Sequence, residues 1–434
     1  MKFGGVFELH WGDSAKAKVV LFLLREVLRP RIKMCARFNG SDNAGNTGKE
    51  NGVEFVAHNL PISVICNHVD SFIAPMCLVS LPRIFSNEMP ELAVKGVKFD
   101  RLRIAKETFT VLPWHREIEQ LEEAALGATK RDGTARGIGP AYGDLTRKYA
   151  ISVGDLLDES ALRIKVRENI AVKNLIDSFR TRNYDENHVV EQLLSYGKLL
   201  EPYMVETDLY LCKLDDDCMP DDLALLVQAQ GAMLDINSPS YPYVSSSGMT
   251  VHDASKAFRL RNEDFAFRLG VCKAYTTSVG RRDFPTKLTD ETGQGLQNRG
   301  AEFGRTSGRL RDCGWLDGPA LRHGILVNQI TSLFVTKLDV LDQEPEIRFC
   351  ISYKREDRFE VEIAPRLGLG DCKPVYKTFK GWQKPTAGMR KLGDLPKKAR
   401  EYIDFIEIYS GKPVVGISTG PDTYDTIWCY RQTM

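Results

Sequence analysis

The sequence predicts an α/β protein, a single large domain in which a central, mostly parallel β-sheet is flanked by helices. Short apolar, β-branched runs of the kind buried on both faces recur at Phe3–Leu9, Val64–Val69, Leu223–Val227, Leu333–Val335, Ile347–Ser352 and Val414–Ser418. Amphipathic segments lie between them at Ser14–Val27, His115–Ala125 and Val189–Leu200, with apolar residues at roughly helical spacing. Strands that alternate with helices read as a parallel sheet covered on both faces. No repeat and no Pro/Gly/Ser-rich linker divides the 434 residues, so one domain over 1–434 is expected. A mainly helical, polar insertion at about 129–216 should pack over one end of the sheet.

Composition bounds the function. Apolar residues make up 43% and charged residues 27%, and the net charge is +1, which argues against a sequence-independent grip on nucleic acid. No apolar run is long enough to span a bilayer, and Met1–Val6 lacks the basic and apolar regions of a signal peptide, so a cytoplasmic protein without membrane partners is expected. Ten cysteines without a C-x-x-C pair speak against structural zinc and a disulfide framework. Seven histidines without an H-x-x-x-H pair speak against a zinc hydrolase.

In such sheets binding residues gather where strands end, and several turns here are chemically loaded. Trp11-Gly-Asp-Ser-Ala-Lys-Ala-Lys18 sits where the first strand gives way to a helix. Backbone N–H groups and the dipole at such a helix start favour an anion, Asp13 can hold a hard cation or take a proton, and Lys16 can neutralise phosphate. Asn39-Gly-Ser-Asp-Asn-Ala-Gly-Asn-Thr-Gly48 is a polar loop after a strand-like Cys35–Phe38. Gly133-Thr-Ala-Arg-Gly-Ile-Gly-Pro-Ala-Tyr142 is too glycine-rich for helix or strand and lets backbone approach a ligand. Gln228-Ala-Gln-Gly231 at a strand end reads either as a purine-edge reader or as satisfied core amides. Phe303-Gly-Arg-Thr-Ser-Gly-Arg-Leu-Arg311 offers two hydroxyls and three arginines to an anionic substrate. Thr336-Lys-Leu-Asp339 has the form of a guanine-reading loop, and Ser418-Thr-Gly-Pro-Asp422 could back the same base.

Taken in this order, the segments resemble the adenylosuccinate synthetase family, which joins aspartate to the 6-position of a purine nucleotide using GTP and Mg²⁺. The most specific matches are Arg136-Gly-Ile-Gly-Pro-Ala-Tyr142, Val153-Gly-Asp-Leu156, Tyr241-Pro-Tyr-Val244, Lys273-Ala-Tyr275, Gly314-Trp-Leu-Asp317 and Thr336-Lys-Leu-Asp-Val-Leu-Asp342. The resemblance implies a homodimer and a set of roles. Asp13 takes the proton from N1 of the purine and, with the carbonyl of Gly45, holds Mg²⁺, while Lys16, Asn46 and Gln230 complete the catalytic positions. Asn43, Thr134, Gln230, Ser245 and Arg309 hold the purine nucleoside monophosphate, and Arg147 reaches its phosphate across the dimer interface. Thr306, Ser307, Arg309 and Arg311 bind L-aspartate. Ser14, Ala15, Lys16 and Ala17 meet the phosphates of GTP, with Lys337, Asp339, Ser418 and Gly420 around its guanine.

Departures from the family pattern matter as much. Gly12-Asp-Ser-Ala-Lys-Ala-Lys18 has lost a glutamate and two glycines, and Asn46 stands where the family has a histidine that acts as a general acid. A carboxamide donates a hydrogen bond but releases no proton, so turnover should be slow unless something compensates. His10, at a position usually held by glutamine, is a candidate substitute. Residues 248–264 depart from the small, glycine-rich segment usual near the nucleotide. IMP is the simplest acceptor. The alternatives are (d)GMP, as in the phage branch that makes aminodeoxyadenylosuccinate, another oxo-heterocycle nucleotide, or a catalytically weakened nucleotide-binding protein.

Overall fold

The computed structural model describes residues 1–131, 133–176, 184–280, 282, 284–304, 308–355 and 360–429. Its centre is a ten-stranded sheet in the order Thr426–Trp428, Val414–Ser418, Ser332–Thr336, Phe265–Lys273, Lys2–Glu8, Leu223–Gly231, Ile32–Arg37, Asp70–Ile73, Leu102–Ala105, Met204–Val205. Every pairing is parallel except that of Thr426–Trp428 at the edge. Side chains alternate between two cores, as the period of a strand demands: Val6 packs into one, Phe3 and Phe7 into the other.

The topology sets the site. The chain leaves the first strand and skips a place to reach Ile32–Arg37, and Leu223–Gly231 later fills the gap. Glu8, Gly231, Arg37, Lys273, Thr336 and Ser418 therefore end parallel strands on one edge of the sheet, around the point where the strand order reverses. Open α/β sheets bind ligands at such a crevice.

The predicted helices form at Lys16–Phe22, which continues as a wider turn over Leu23–Val27, at Pro113–Leu126 and at Glu186–Leu200. The hairpin Asn46–Glu50 and Val53–Ala57 lies on the first of these. Gly48 permits it, because a Cβ there would sit 2.3 Å from Leu21. The described residues between 138 and 216 are mostly helical, with Val166, Val190 and Leu193 packed into the same core as Leu102 and Ile104.

One predicted strand is corrected, and another lies outside the central sheet. Residues 64–69 do not form a strand: Ile62–Ile65 is a 3₁₀ turn and the strand follows at Asp70–Ile73. The buried apolar side chains Ile62, Val64 and Ile65 satisfy either conformation, and a short apolar run cannot distinguish them. Ile347–Ser352 does lie in a strand, Glu346–Lys354, but that strand belongs to a separate small sheet, antiparallel to Lys373–Lys380.

Candidate active site

The turn after the first strand is built from left-handed backbone. Gly12, Asp13 and Ala15 have φ of 95°, 64° and 57°, and for a residue with a Cβ this costs about 1 kcal/mol. Two contacts impose it. The Ser14 N–H donates to Glu8 Oε1 at 2.8 Å. Gly231 brings its strand against the turn so closely that a Cβ would meet the His10 carbonyl at 2.2 Å. The turn hands Lys16 into a buried nest, where Nζ lies 3.2 Å from Glu8 Oε2 and donates to the carbonyls of Gln230 at 2.9 Å and Ala229 at 3.3 Å. Burial lowers the Lys16 pKa, and the carboxylates of Glu8 and Asp13 oppose that effect.

Asp13 opens onto a cavity of about 770 Å³. Lys16, Ala15 and Ala17 line it with Asp13, as do Asn43, Gly45, Asn46, Thr134, Gln230, Ser245, Arg309 and Arg311. Lys337, Asp339, Ser418 and Gly420 line it as well. One space thus joins the carboxylate and amine of the first turn to the guanine-type loop, as the sequence motifs require of a shared site.

Each wall is cross-braced. Asn43 Oδ1 accepts from Gln230 Nε2 at 3.2 Å, and its amide reaches Ser245 Oγ at 3.4 Å, while Gln230 Oε1 has no partner among the described residues. Gln228, by contrast, is a satisfied core amide that accepts from the Glu8 N–H at 2.7 Å and donates to Met249 O. Thr336 Oγ1 donates to the Ser14 carbonyl at 2.9 Å, tying the guanine-type loop to the phosphate-type turn. Burial raises the pKa of Asp339. Lys18 Nζ donates to Ser418 Oγ at 2.7 Å and to the carbonyls of Gly420 and Asp425 at 2.5 and 2.7 Å.

A buried carboxylate organises the arginine side. Arg311 spans Asp13 Oδ2, 2.9 Å from Nε, and Glu302 Oε2, 2.8 Å from Nη1. Glu302 also holds Lys273 at 2.8 Å, Lys337 at 2.7 Å and the Tyr275 hydroxyl. Burial pushes the Glu302 carboxyl up, but Lys273, Lys337 and Arg311 outweigh it and hold it well below the usual carboxylate range. Burial in turn brings Lys273 down to about 8, with Glu302 opposing.

Not every expected residue meets the cavity. Ser14 stands behind its wall, with N–H and carbonyl both engaged. Arg147 is exposed, over the Tyr149 ring and off the cavity. Thr306 and Ser307 lie outside the described residues. His10 is no substitute acid: its Nε2 lies 3.0 Å from the Asp317 carbonyl, the ring is off the cavity wall, and burial drops its pKa to about 4. Residues 248–264 do not line the cavity either. Val251–Phe258 forms a capped helix that buries Val251, Ala254 and Phe258 in the second core. Sequence reasoning missed Glu8, Lys18, Glu302 and Arg282. Only Lys18 lay within a motif, and a carboxylate buried among cations leaves no periodic trace.

Residues 6–427 match the sequence profile of adenylosuccinate synthetase. The chain belongs to the adenylosuccinate synthetase family. Adenylosuccinate synthetases from Acidithiobacillus ferrooxidans and Heliobacterium modesticaldum are 37% and 35% identical over 422 residues, 96% of each chain. The fully ligated adenylosuccinate synthetase of Plasmodium falciparum superposes with a TM-score of 0.90 at 28% identity, covering 99% of this chain and 100% of its own. The cyanophage S-2L succinoaminodeoxyadenylate synthetase shares the fold at a TM-score of 0.61 and 15% identity, with 99% and 96% covered. The protein is accordingly a GTP-dependent ligase of this family, and no helix among the described residues is long and apolar enough to cross a membrane.

Proposed function

We propose that this ligase joins L-aspartate to the 6-oxo position of IMP in the cytoplasm, consuming GTP through a 6-phosphoryl intermediate. The observation that carries the reading is that Asp13 and Lys16 line the same cavity as Lys337, Asp339, Ser418 and Gly420.

The chemistry assigned to the chain follows from these groups. Asp13 takes the N1 proton, and the 6-oxygen gains the electron density to attack the γ-phosphorus. Lys16, held by Glu8 and the carbonyls of Ala229 and Gln230, places a positive charge beside the transferring phosphoryl group. Asn43, Thr134, Gln230, Ser245 and Arg309 orient the acceptor nucleotide, and Arg311 with Thr306, Ser307 and Arg309 receives the carboxylates of aspartate. Asp339 accepts from the guanine edge of GTP. The donor set of Asp13 and the Gly45 carbonyl, both on the cavity, suits Mg²⁺, which takes one or two protein oxygens and completes its shell with phosphate and water. When bound, the ion neutralises phosphate charge. Arg147 is assigned to the acceptor's phosphate in a second copy of the chain, which makes the working unit a homodimer.

The test is direct. The protein is incubated with Mg²⁺, L-aspartate, IMP, GMP or dGMP, and GTP or ATP, and succinylated nucleotides are sought by mass. Succinylated IMP formed with GTP is the expected product. Product only from GMP or dGMP moves the acceptor, and no product from any pair reassigns the chain to nucleotide binding without ligation.

A further inference from the structure

A guanidinium on the cavity wall leaves most of its donors unused among the described residues. Arg282 sits in the segment between the strand Thr276–Ser278 and Phe284. That segment is fixed at both ends: Thr276–Ser278 pairs with Asp312–Gly314, and the buried Phe284 ring packs on Trp11 with centroids 5.4 Å apart. It therefore holds Arg282 beside the Trp11-Gly12-Asp13 turn, on the same cavity as Lys16 and Asn46.

The two guanidiniums buried among the described residues are engaged. Arg311 spans two carboxylates, and Arg37 is ringed by the carbonyls of Asn39, Ser41, His58 and Asn59. Among the described residues Arg282 makes a single long contact, from Nη1 to Ser278 Oγ at 3.4 Å. Its Nε is shut off from solvent without an acceptor, and it joins no ion pair among the described residues. Burial lowers its pKa to about 10, with the Asp13 charge opposing, so it stays a cation at neutral pH. An enclosed charge with unused donors is costly, whereas a planar fork facing a cavity matches an oxyanion.

The distribution of charge selects the oxyanion. On the reading above, the carboxylates of aspartate already have Arg309 and Arg311. The phosphoryl group has Lys16, with the neutral Asn46 where a protonated histidine is the family rule. We propose that Arg282 is a catalytic residue of phosphoryl transfer, its fork donating to the oxygens of the phosphoryl group while that group passes from GTP to the acceptor.

This rests on the ligase reading. In the step, the bond from the acceptor's 6-oxygen to phosphorus forms, the β,γ-bridging P–O bond breaks, its electron pair leaves with GDP, and the N1 proton goes to Asp13. Arg282 neither gains nor loses a proton, so it supplies charge without the pH dependence of an imidazole.

Positional isotope exchange in GTP, with Mg²⁺ and IMP but no aspartate, reads this step alone. Wild type scrambles the β,γ-bridge label. Arg282→Gln slows scrambling by roughly 100-fold, the usual consequence of removing a donor to developing charge, with the KM for aspartate in the full reaction unchanged. Arg282→Lys, which keeps charge without the fork, falls between the two. Thermal melting reports whether each variant folds. Scrambling at the wild-type rate in both folded variants overturns the proposal, as does a defect confined to the KM for aspartate. A wild type that neither scrambles nor forms succinylated product with any acceptor overturns the ligase reading and this role with it, whereas product without an Arg282 effect overturns this role alone.

Discussion

Asn46 begins the hairpin strand Asn46–Glu50 and reaches the cavity as a carboxamide. It can donate a hydrogen bond to phosphate oxygen, but it offers no proton to the leaving charge. Among the seven histidines the candidate replacement, His10, is spent on the Asp317 carbonyl. Asn46→His should therefore raise kcat by about a hundredfold, the low side of what general acid catalysis supplies. It should also introduce a descending limb in kcat between pH 6 and 8 that wild type lacks, as an imidazole loses its proton. A pH–rate profile of the two proteins checks both, and a flat, unchanged profile in the variant rejects the role given to this position.

At the scale of elements, Asp317 shows how a segment is held behind the site. It ends the short strand Leu316–Asp317 and caps the helix Gly318–Val327 through the Ala320 N–H at 3.1 Å, and it accepts from the Tyr353 hydroxyl at 2.5 Å. Burial raises its pKa from 3.8 to about 6, against those hydrogen bonds. Between these values the folded chain holds a proton that the unfolded chain has released, so the contribution is complete below about pH 4 and lost as pH rises through 6. Its ceiling is about 3 kcal/mol, from a shift of about two units at 1.36 kcal/mol each. His10 runs the other way, because its depressed pKa leaves the unfolded chain the better proton binder between about pH 4 and 6.5. The measurement is thus a difference: denaturant melts of wild type and Asp317→Asn at pH 4, 5, 6 and 7. Wild type should lose roughly 1–3 kcal/mol relative to the variant across that range, and a constant difference would contradict the assignment. Much of this scaffold was legible in the sequence. Lys2–Glu8, Leu223–Gly231, Ser332–Thr336 and Val414–Ser418 announce themselves as apolar runs, and the turns after them carry the motifs. The four-residue strands Asp70–Ile73 and Leu102–Ala105 were too short to register, and Phe265–Lys273 was masked by Arg268 and Gly270. Glu302 and Arg282 were illegible for another reason, since their meaning lies in partners, or in the want of them, that only folding supplies.

Across the whole molecule the site is a closure of sequence-distant strand ends, and Lys18 is its tether. Its ammonium, one turn into the first helix, gathers Ser418 Oγ and the carbonyls of Gly420 and Asp425, some 400 residues away. Burial brings its pKa down to about 8, with Asp425, Asp339 and Asp422 opposing. The tether sets how far the Ser418–Gly420 wall stands from the phosphate-type turn, and with it the length of nucleotide that fits between Lys16 and Asp339. Removing it takes one donor from each carbonyl, leaving Gly420 O to the Ser418 hydroxyl and Asp425 O to the Thr419 N–H, and frees that wall to move. Lys18→Met should raise the KM for GTP by at least about tenfold, equivalent to about 1.4 kcal/mol of lost binding. The acceptor nucleotide, assigned above to Asn43, Thr134 and Ser245 on other loops, should keep its KM within about threefold, less than 1 kcal/mol on the same scale. Steady-state kinetics with each substrate varied in turn separates the two. An equal rise in both constants would mean that the helix start, not the guanine-type wall, is what Lys18 positions.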